Sequence, residues 1–244
     1  DEAGLLSLLA EKEARAAEIE SLIKDAALLK QQSEDAMAAL GTAAETLRRF
    51  RHTAAAALSE RVERELAALN FKDARFEIRF EEQPEYTEQG GESAEFYIRT
   101  NPGEAVKPLR QIASGGELSR VMLALRAVLA ANDRVETLIF DEIDAGISGR
   151  TAQLVSEKLM EISRSRQVLC ITHLPQLAAM ADHHYLIEKA TDGSRTETEI
   201  REITGEALYL ELGRLIGGAE ITDGVLKTAE EMKQLAEKRK EGMR

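Results

Sequence analysis

Over the first 57 residues, a stretch without proline, apolar side chains return every three to four positions. A heptad frame puts Leu5, Lys12, Ile19, Ala26, Ser33, Leu40, Leu47 and Ala54 at a positions. The d positions are Leu8, Arg15, Leu22, Leu29, Ala36, Ala43, Phe50 and Ala57. Thirteen of these sixteen positions are apolar, which predicts a coiled-coil strand. A long amphipathic helix lying on a globular head is the alternative. At ~1.5 Å per residue the strand would be about 85 Å long. Gly41 is a candidate break. Alanine-rich seam positions anchor weakly, and no other segment offers a seam of similar length, so the partner helix is expected from elsewhere.

Helical spacing continues through Leu58, Val62, Leu66 and Leu69, and then the period changes. Ala74, Phe76, Ile78 and Phe80 alternate with charged residues, the pattern of a half-buried strand, and Phe96 and Ile98 repeat it after the turn-rich Gln89-Gly90-Gly91. Asn101-Pro102-Gly103 reads as a turn. Beyond Leu109 helix and strand alternate: a helix after Gly116, a strand over Thr137–Phe140, a helix after Ser148, a strand over Gln167–Thr172 and a short helix after Pro175. Strand-like runs at Tyr185–Glu188 and Glu197–Ile203 precede two closing helices from about Glu206 and Asp223. This alternation predicts an α/β layer.

Charge changes the picture of partners. The net charge is −12, which argues against a chain that coats nucleic acid over its whole surface. The Arg48, Arg49, Arg51 cluster and the Lys233, Lys238, Arg239, Lys240 tail read as solvated helix faces before they read as DNA contacts. The single cysteine, Cys170, points to a reducing, intracellular compartment. No apolar run reaches the roughly 18–20 residues that span a bilayer, and no signal segment opens the chain. A cytoplasmic protein is expected, and a start at Asp1 suggests a fragment or processed product.

Four segments carry candidate chemistry. Ser114 and Glu117 have capping-box spacing, and Gly115 and Gly116 between them bare backbone N–H groups at a helix start, where an anion is favoured. Asp141 and Glu142 end the apolar run Thr137–Phe140, at the strand end where α/β sheets collect ligands. Asp141 suits a hard cation and Glu142 suits orienting or deprotonating a water, although an acidic loop is common in a chain with 44 acids. Asp144-Ala145-Gly146-Ile147-Ser148-Gly149 reads as a loop of close backbone approach, with Ser148 capping the next helix. His173 ends a second apolar strand, either as a satisfied structural histidine or as a donor to a terminal phosphate.

In this order and spacing, the segments resemble the SMC-like family of ATP-binding-cassette (ABC) ATPases. Ser114–Arg120 matches its signature, Leu138–Glu142 its Walker B motif, Asp144–Gly149 its D-loop and Ile171–His173 its switch. Asn101–Glu104, Leu109–Arg120, Asp141–Arg150, Thr172–Gln176 and Leu212–Gly218 further resemble the branch of that family that repairs DNA double-strand breaks. The resemblance runs from about Phe76 to the C-terminus. It implies an ABC-type head half, a mixed sheet with flanking helices behind a long coiled-coil helix, with residues 1–69 as strand and neck and 70–244 as the head half. It also implies ATP and Mg²⁺ as cofactors, with Asp141 on the metal, Glu142 on the water and His173 on the γ-phosphate. Ser114, Gly115, Gly116, Glu117 and Asp144 would serve nucleotide binding, the signature residues reaching ATP held by an opposing head. Implied partners are the N-terminal half of the same protein, a second head and DNA, in a nucleoid-associated setting.

One departure bears on activity. The phosphate-binding loop G-x-x-x-x-G-K-[ST] does not occur in the chain, so hydrolysis is not expected from it alone. A non-catalytic coiled-coil scaffold with a degenerate head is the competing reading. A serine hydrolase on Ser148 and His173 is disfavoured because Gly146-Ile147-Ser148-Gly149 is not G-x-S-x-G and no strand leads directly into it. His183, His184 and His173 lack metal-ligand spacing.

Overall fold

The computed structural model describes residues 2–129, 135–192, 195–218 and 220–242, so the outermost ends of the two expected segments, Asp1 and Arg244, lie outside it. Helix α1 runs unbroken over Glu2–Ala68. Gly41 does not interrupt it, since one glycine costs a helix only ~1 kcal/mol relative to alanine. A hairpin follows, β1 (Arg75–Thr87) and β2 (Gly90–Arg99), with the short β3 (Lys107–Pro108) antiparallel to β2. The hairpin is longer than the alternation foretells. Residues 81–87 are exposed on both faces, so their strand state comes from the ladder and leaves no apolar period in the sequence.

After a 3₁₀ turn at Leu109–Gln111 come α2 (Gly115–Leu129), β4 (Thr137–Phe140), α3 (Gly149–Ser163), β5 (Gln167–Cys170) and α4 (Pro175–Met180). The antiparallel pair β6 (Tyr185–Asp192) and β7 (Arg195–Glu202) then leads to α5 (Glu206–Gly217) and α6 (Asp223–Gly242). Strands β4 and β5 are parallel and in register from Thr137 opposite Gln167 to Phe140 opposite Cys170, with α3 as the crossover. Strand β5 stops two residues short of the expected Thr172. There the Thr172 hydroxyl donates to Asp144 and accepts the Leu174 N–H, which turns the chain out of the ladder.

The chain forms two compact units. One holds Asp1–Ala55 with the hairpin tip Phe80–Ala94. Within it Arg48 pairs with Glu82 at 3.3 Å and Glu92 at 3.1 Å, and the His52 ring stacks on Phe80. Leu5, Leu22 and Leu29 of the heptad seam are all exposed.

The other unit holds Ala56–Arg79 and Glu95–Arg244. Its main core joins Val62 and Leu66 of α1 to Phe76, Ile98, Val121, Leu125, Leu138, Phe140, Val155 and Leu159. Ala152, Val155, Leu159 and Ile162 are the buried stripe of α3, spaced three and four apart. Full burial of side chains such as Val155, Leu159 and Ile162 stabilises by about 1.5–3 kcal/mol each. A second cluster, with Met160, Met180, Ile203, Leu208, Leu212 and Ala229, seats α5 and α6.

Candidate nucleotide site

Parallel pairing brings the carboxyl ends of β4 and β5 together, and the Ile171 N–H donates to the Phe140 carbonyl at 3.0 Å to continue the ladder. Asp141 and Glu142 leave β4 there, both exposed, and His173 leaves the β5 side. Asp141 Oδ1 accepts the Glu142 N–H at 2.9 Å, which fixes the turn. Glu142 itself sits at φ +56°, an uncommon conformation for a residue with a side chain. An exposed carboxylate at this strand end offers the oxygen donor that a magnesium ion requires.

Ser114 caps α2 as the spacing predicts, accepting the Glu117 N–H on Oγ at 3.3 Å. Only half of the capping box forms, because the Glu117 carboxylate accepts from the Thr100 hydroxyl at 3.2 Å instead of reaching back. Gly115 and Gly116 lie against the acidic turn. A Cβ on Gly115 would collide with the Glu142 carboxylate, and one on Gly116 would lie 2.6 Å from the Ala145 carbonyl oxygen. Gly116 therefore lets the helix N-terminus and the 142–145 turn touch at backbone distance, and Gly115 leaves room for the Glu142 carboxylate.

Asp144, expected near nucleotide, is buried at 4% exposure. Its Oδ2 accepts the Thr172 hydroxyl at 2.6 Å and the His173 N–H at 2.8 Å, and lies 3.0 Å from His173 Nδ1. The residue thereby holds the switch segment to the end of β4, with the His173 ring largely in solvent. A neutral ring donating from Nδ1 presents Nε2 as an acceptor, whereas an imidazolium donates from both nitrogens. Burial, followed by the charges of Asp144 and Asp141, pushes the nearby Cys170 thiol up to about 12.

The acids, the switch histidine and the glycine-led helix thus share one compact unit. Two residues quoted only as part of a motif are structurally central. The Ser119 hydroxyl donates to the Asp141 carbonyl at 2.9 Å, and buried Arg120 donates to the carbonyls of Ile143 and Ala145. Nothing in the spacing announced this, since a lone arginine on a helix reads as surface. Ser148 occupies the N-cap position of α3 but makes no side-chain cap bond. His183 pairs with Glu202, and His184 lies 2.8 Å from the Ala178 carbonyl. Lys233 and Lys240 bond to the carbonyls that end α4, and Arg239 pairs with Glu157, so these bases of the C-terminal tail are engaged within the chain.

A helix of 67 residues precedes an α/β unit in which a glycine-led helix packs on an acidic strand end, and the chain's relatives are SMC-like proteins of the RecN kind. The chain is similar to DNA repair proteins named RecN from several bacteria. It is 43% identical to DNA repair protein RecN of Halalkalibacterium halodurans over 85% of this chain and 38% of that protein. Identity to RecN of Bacillus subtilis is 39%, over 86% and 39%, and to RecN of Treponema pallidum 38%, over 92% and 40%. The chain therefore spans about two fifths of the length of the curated relatives it matches. No family model matches it. Among solved structures, an SMC head domain with coiled coil and joint from Pyrococcus yayanosii is 23% identical over 67% of this chain and 29% of that one, at a TM-score of 0.48. No described helix is long and apolar enough to cross a membrane.

Proposed function

We propose that the chain is the C-terminal part of a RecN-like SMC-family ATPase acting in DNA double-strand-break repair. Residues 1–69 would form the returning coiled-coil strand and neck, and 70–244 the C-terminal half of the head. ATP would be bound and hydrolysed at a composite interface between two heads, with the Walker A half supplied by the rest of the same protein. The convergence of Asp141, Glu142 and His173 at the ends of two paired parallel strands carries this reading. Asp141 would hold Mg²⁺, Glu142 would orient or deprotonate the attacking water, and His173 would meet the γ-phosphate. Ser114 and Gly116 would face ATP held by the opposing head, with Gly115 and Glu117 shaping that turn. DNA as ligand and a nucleoid-associated, cytoplasmic setting come with the RecN relationship.

The open face of the β4–β5 pair supports the missing half. Leu138 and Phe140 face the core, whereas Ile139 on the other face is 69% exposed, beside exposed Leu169 and Ile171. Parallel strands are normally covered on both faces, so an apolar face of this kind suits further sheet and helix from the same protein.

The test is Glu142→Gln in the full-length protein. Turnover is expected to fall by at least ~10²-fold while ATP-bound head dimers accumulate. Near-unaltered turnover would remove Glu142 from its role. A full-length protein with no ATP turnover would favour the scaffold reading.

A further inference from the structure

We infer that Arg120, assisted by Ser119, is a positioning residue that locks the signature helix to the acidic turn of its own head, so that the two ends of the head respond as one piece. The inference rests on the ATPase reading above. It deepens that reading by assigning how the nucleotide contacted by α2 is linked to the acids that serve the other nucleotide.

Arg120 lies six residues into α2 and is only 7% exposed. Its Nη1 donates to the Ile143 carbonyl at 3.3 Å and to the Ala145 carbonyl at 3.0 Å, bridging the turn after Glu142. The guanidinium lies over the Phe71 ring, 5.4 Å from its centre, so a residue in the turn after α1 braces it from behind. Burial lowers its pKa, which Glu117 in the same helix partly offsets. An arginine remains charged through such a shift and brings several donors to bear at once, whereas a lysine would present a single point charge.

Three further contacts make the joint stiff. Ser119 holds the Asp141 carbonyl, one residue before the strained Glu142. Gly116 lets the Ala145 carbonyl approach where no Cβ fits. Asp144, between the two carbonyls that Arg120 holds, carries Thr172 and His173. One buried side chain therefore ties the signature helix, the acidic turn and, through Asp144, the switch histidine. A rotation of α2 on meeting the opposing nucleotide would move Glu142 and His173 with it. Such a shift is of the size that matters, since misplacement by about 1 Å can cost ~10²-fold in rate.

The experiment uses full-length protein assembled as mixed dimers, with single-turnover ATP hydrolysis as the readout. One head carries Glu142→Gln, which silences its own acids, and Arg120→Ala is placed in either head. In the head whose acids still work, Arg120→Ala is expected to slow hydrolysis about tenfold, with ATP affinity within about twofold of the unsubstituted protein. In the silenced head it is expected to cost less than about threefold. Equal losses in both placements, or a loss carried by ATP affinity, would overturn the inference. Should Arg120→Ala not fold, Ser119→Ala is placed in the same two ways, with an expected slowing of about threefold on the working head only. If the unsubstituted protein hydrolyses no ATP, the ATPase reading itself fails, which is a distinct result from equal losses.

Discussion

Asp144 and His173 are joined twice: one carboxylate oxygen accepts the histidine's backbone N–H at 2.8 Å and sits 3.0 Å from its ring Nδ1. The same oxygen takes the Thr172 hydroxyl at 2.6 Å. A single buried carboxylate from the loop after β4 thus sets the backbone and the ring of His173, in the segment after β5. The ring is 72% exposed, so its orientation depends on Asp144 rather than on packing.

Asp144→Asn keeps the shape and removes the charge. Hydrogen bonds to a charged group contribute about 1.5–3 kcal/mol, and the amide adds a donor facing three donors. Thermal unfolding of the chain should shift down accordingly. In the full-length protein, turnover should drop at least ~10-fold with ATP affinity little changed, because the lost function is orientation of His173. An Asn variant with unaltered turnover would separate Asp144 from the site.

Cys170 should be chemically inert while the chain is folded. Burial first, then the charges of Asp144 and Asp141, raise its thiol from an ordinary 9.0 to about 12. At pH 8 the thiolate is then rarer by roughly 10³-fold than in an unperturbed thiol, and the thiolate is the nucleophile. Labelling with a disulfide reagent should therefore run at least ~10²-fold slower than for free cysteine and recover on denaturation. Rapid labelling of the native chain would mean that the strand end is open.

His184 predicts a pH window. Burial lowers its pKa below the ordinary 6.5, Lys233 and Lys240 act in the same direction, and the Ala178 carbonyl and Asp182 oppose them. A group depressed in the folded state is protonated first in the unfolded chain. The stability it confers is full above about pH 6.5 and is lost as pH falls through the folded-state value. Melting temperature should fall over that window, and His184→Gln should flatten the slope there. An unchanged slope in the variant would assign the acid sensitivity to other groups.

Much of this was legible because the two periods of the chain are clean. The heptads announce the helix α1 by apolar spacing although their seam stays exposed, whereas the α3 stripe and the run Thr137–Phe140 announce their elements through burial on one side. The hairpin tip was not legible, since residues 81–87 bury nothing and so carry no pattern. At the site, glycines and acids were readable as types, because only they suit a bared helix start or a cation. Their partners were hidden. Thr100, Ser119, Arg120 and Thr172 act through backbone carbonyls or carboxylates distant in sequence, and a carbonyl acceptor leaves no trace in residue identity.

The paired glycines give the sharpest comparison, because what a methyl group would meet differs between them. On Gly115 an added Cβ runs into the carboxylate of Glu142, the far end of an exposed, flexible side chain that can swing away. On Gly116 it meets the Ala145 carbonyl oxygen at 2.6 Å and the Glu142 carbonyl oxygen at 3.1 Å, both backbone atoms held by the turn. Gly115→Ala should therefore leave thermal stability nearly unaltered while moving the Glu142 side chain, and should lower turnover of the full-length protein. Gly116→Ala should destabilise the chain by about 1–3 kcal/mol, the usual cost of forcing an extra carbon into a packed site. It should also weaken the Arg120 bonds to the same turn, so that Gly116→Ala with Arg120→Ala costs less than the sum of the two. Strict additivity of the pair would show that the helix start and the acidic turn are not one mechanical unit.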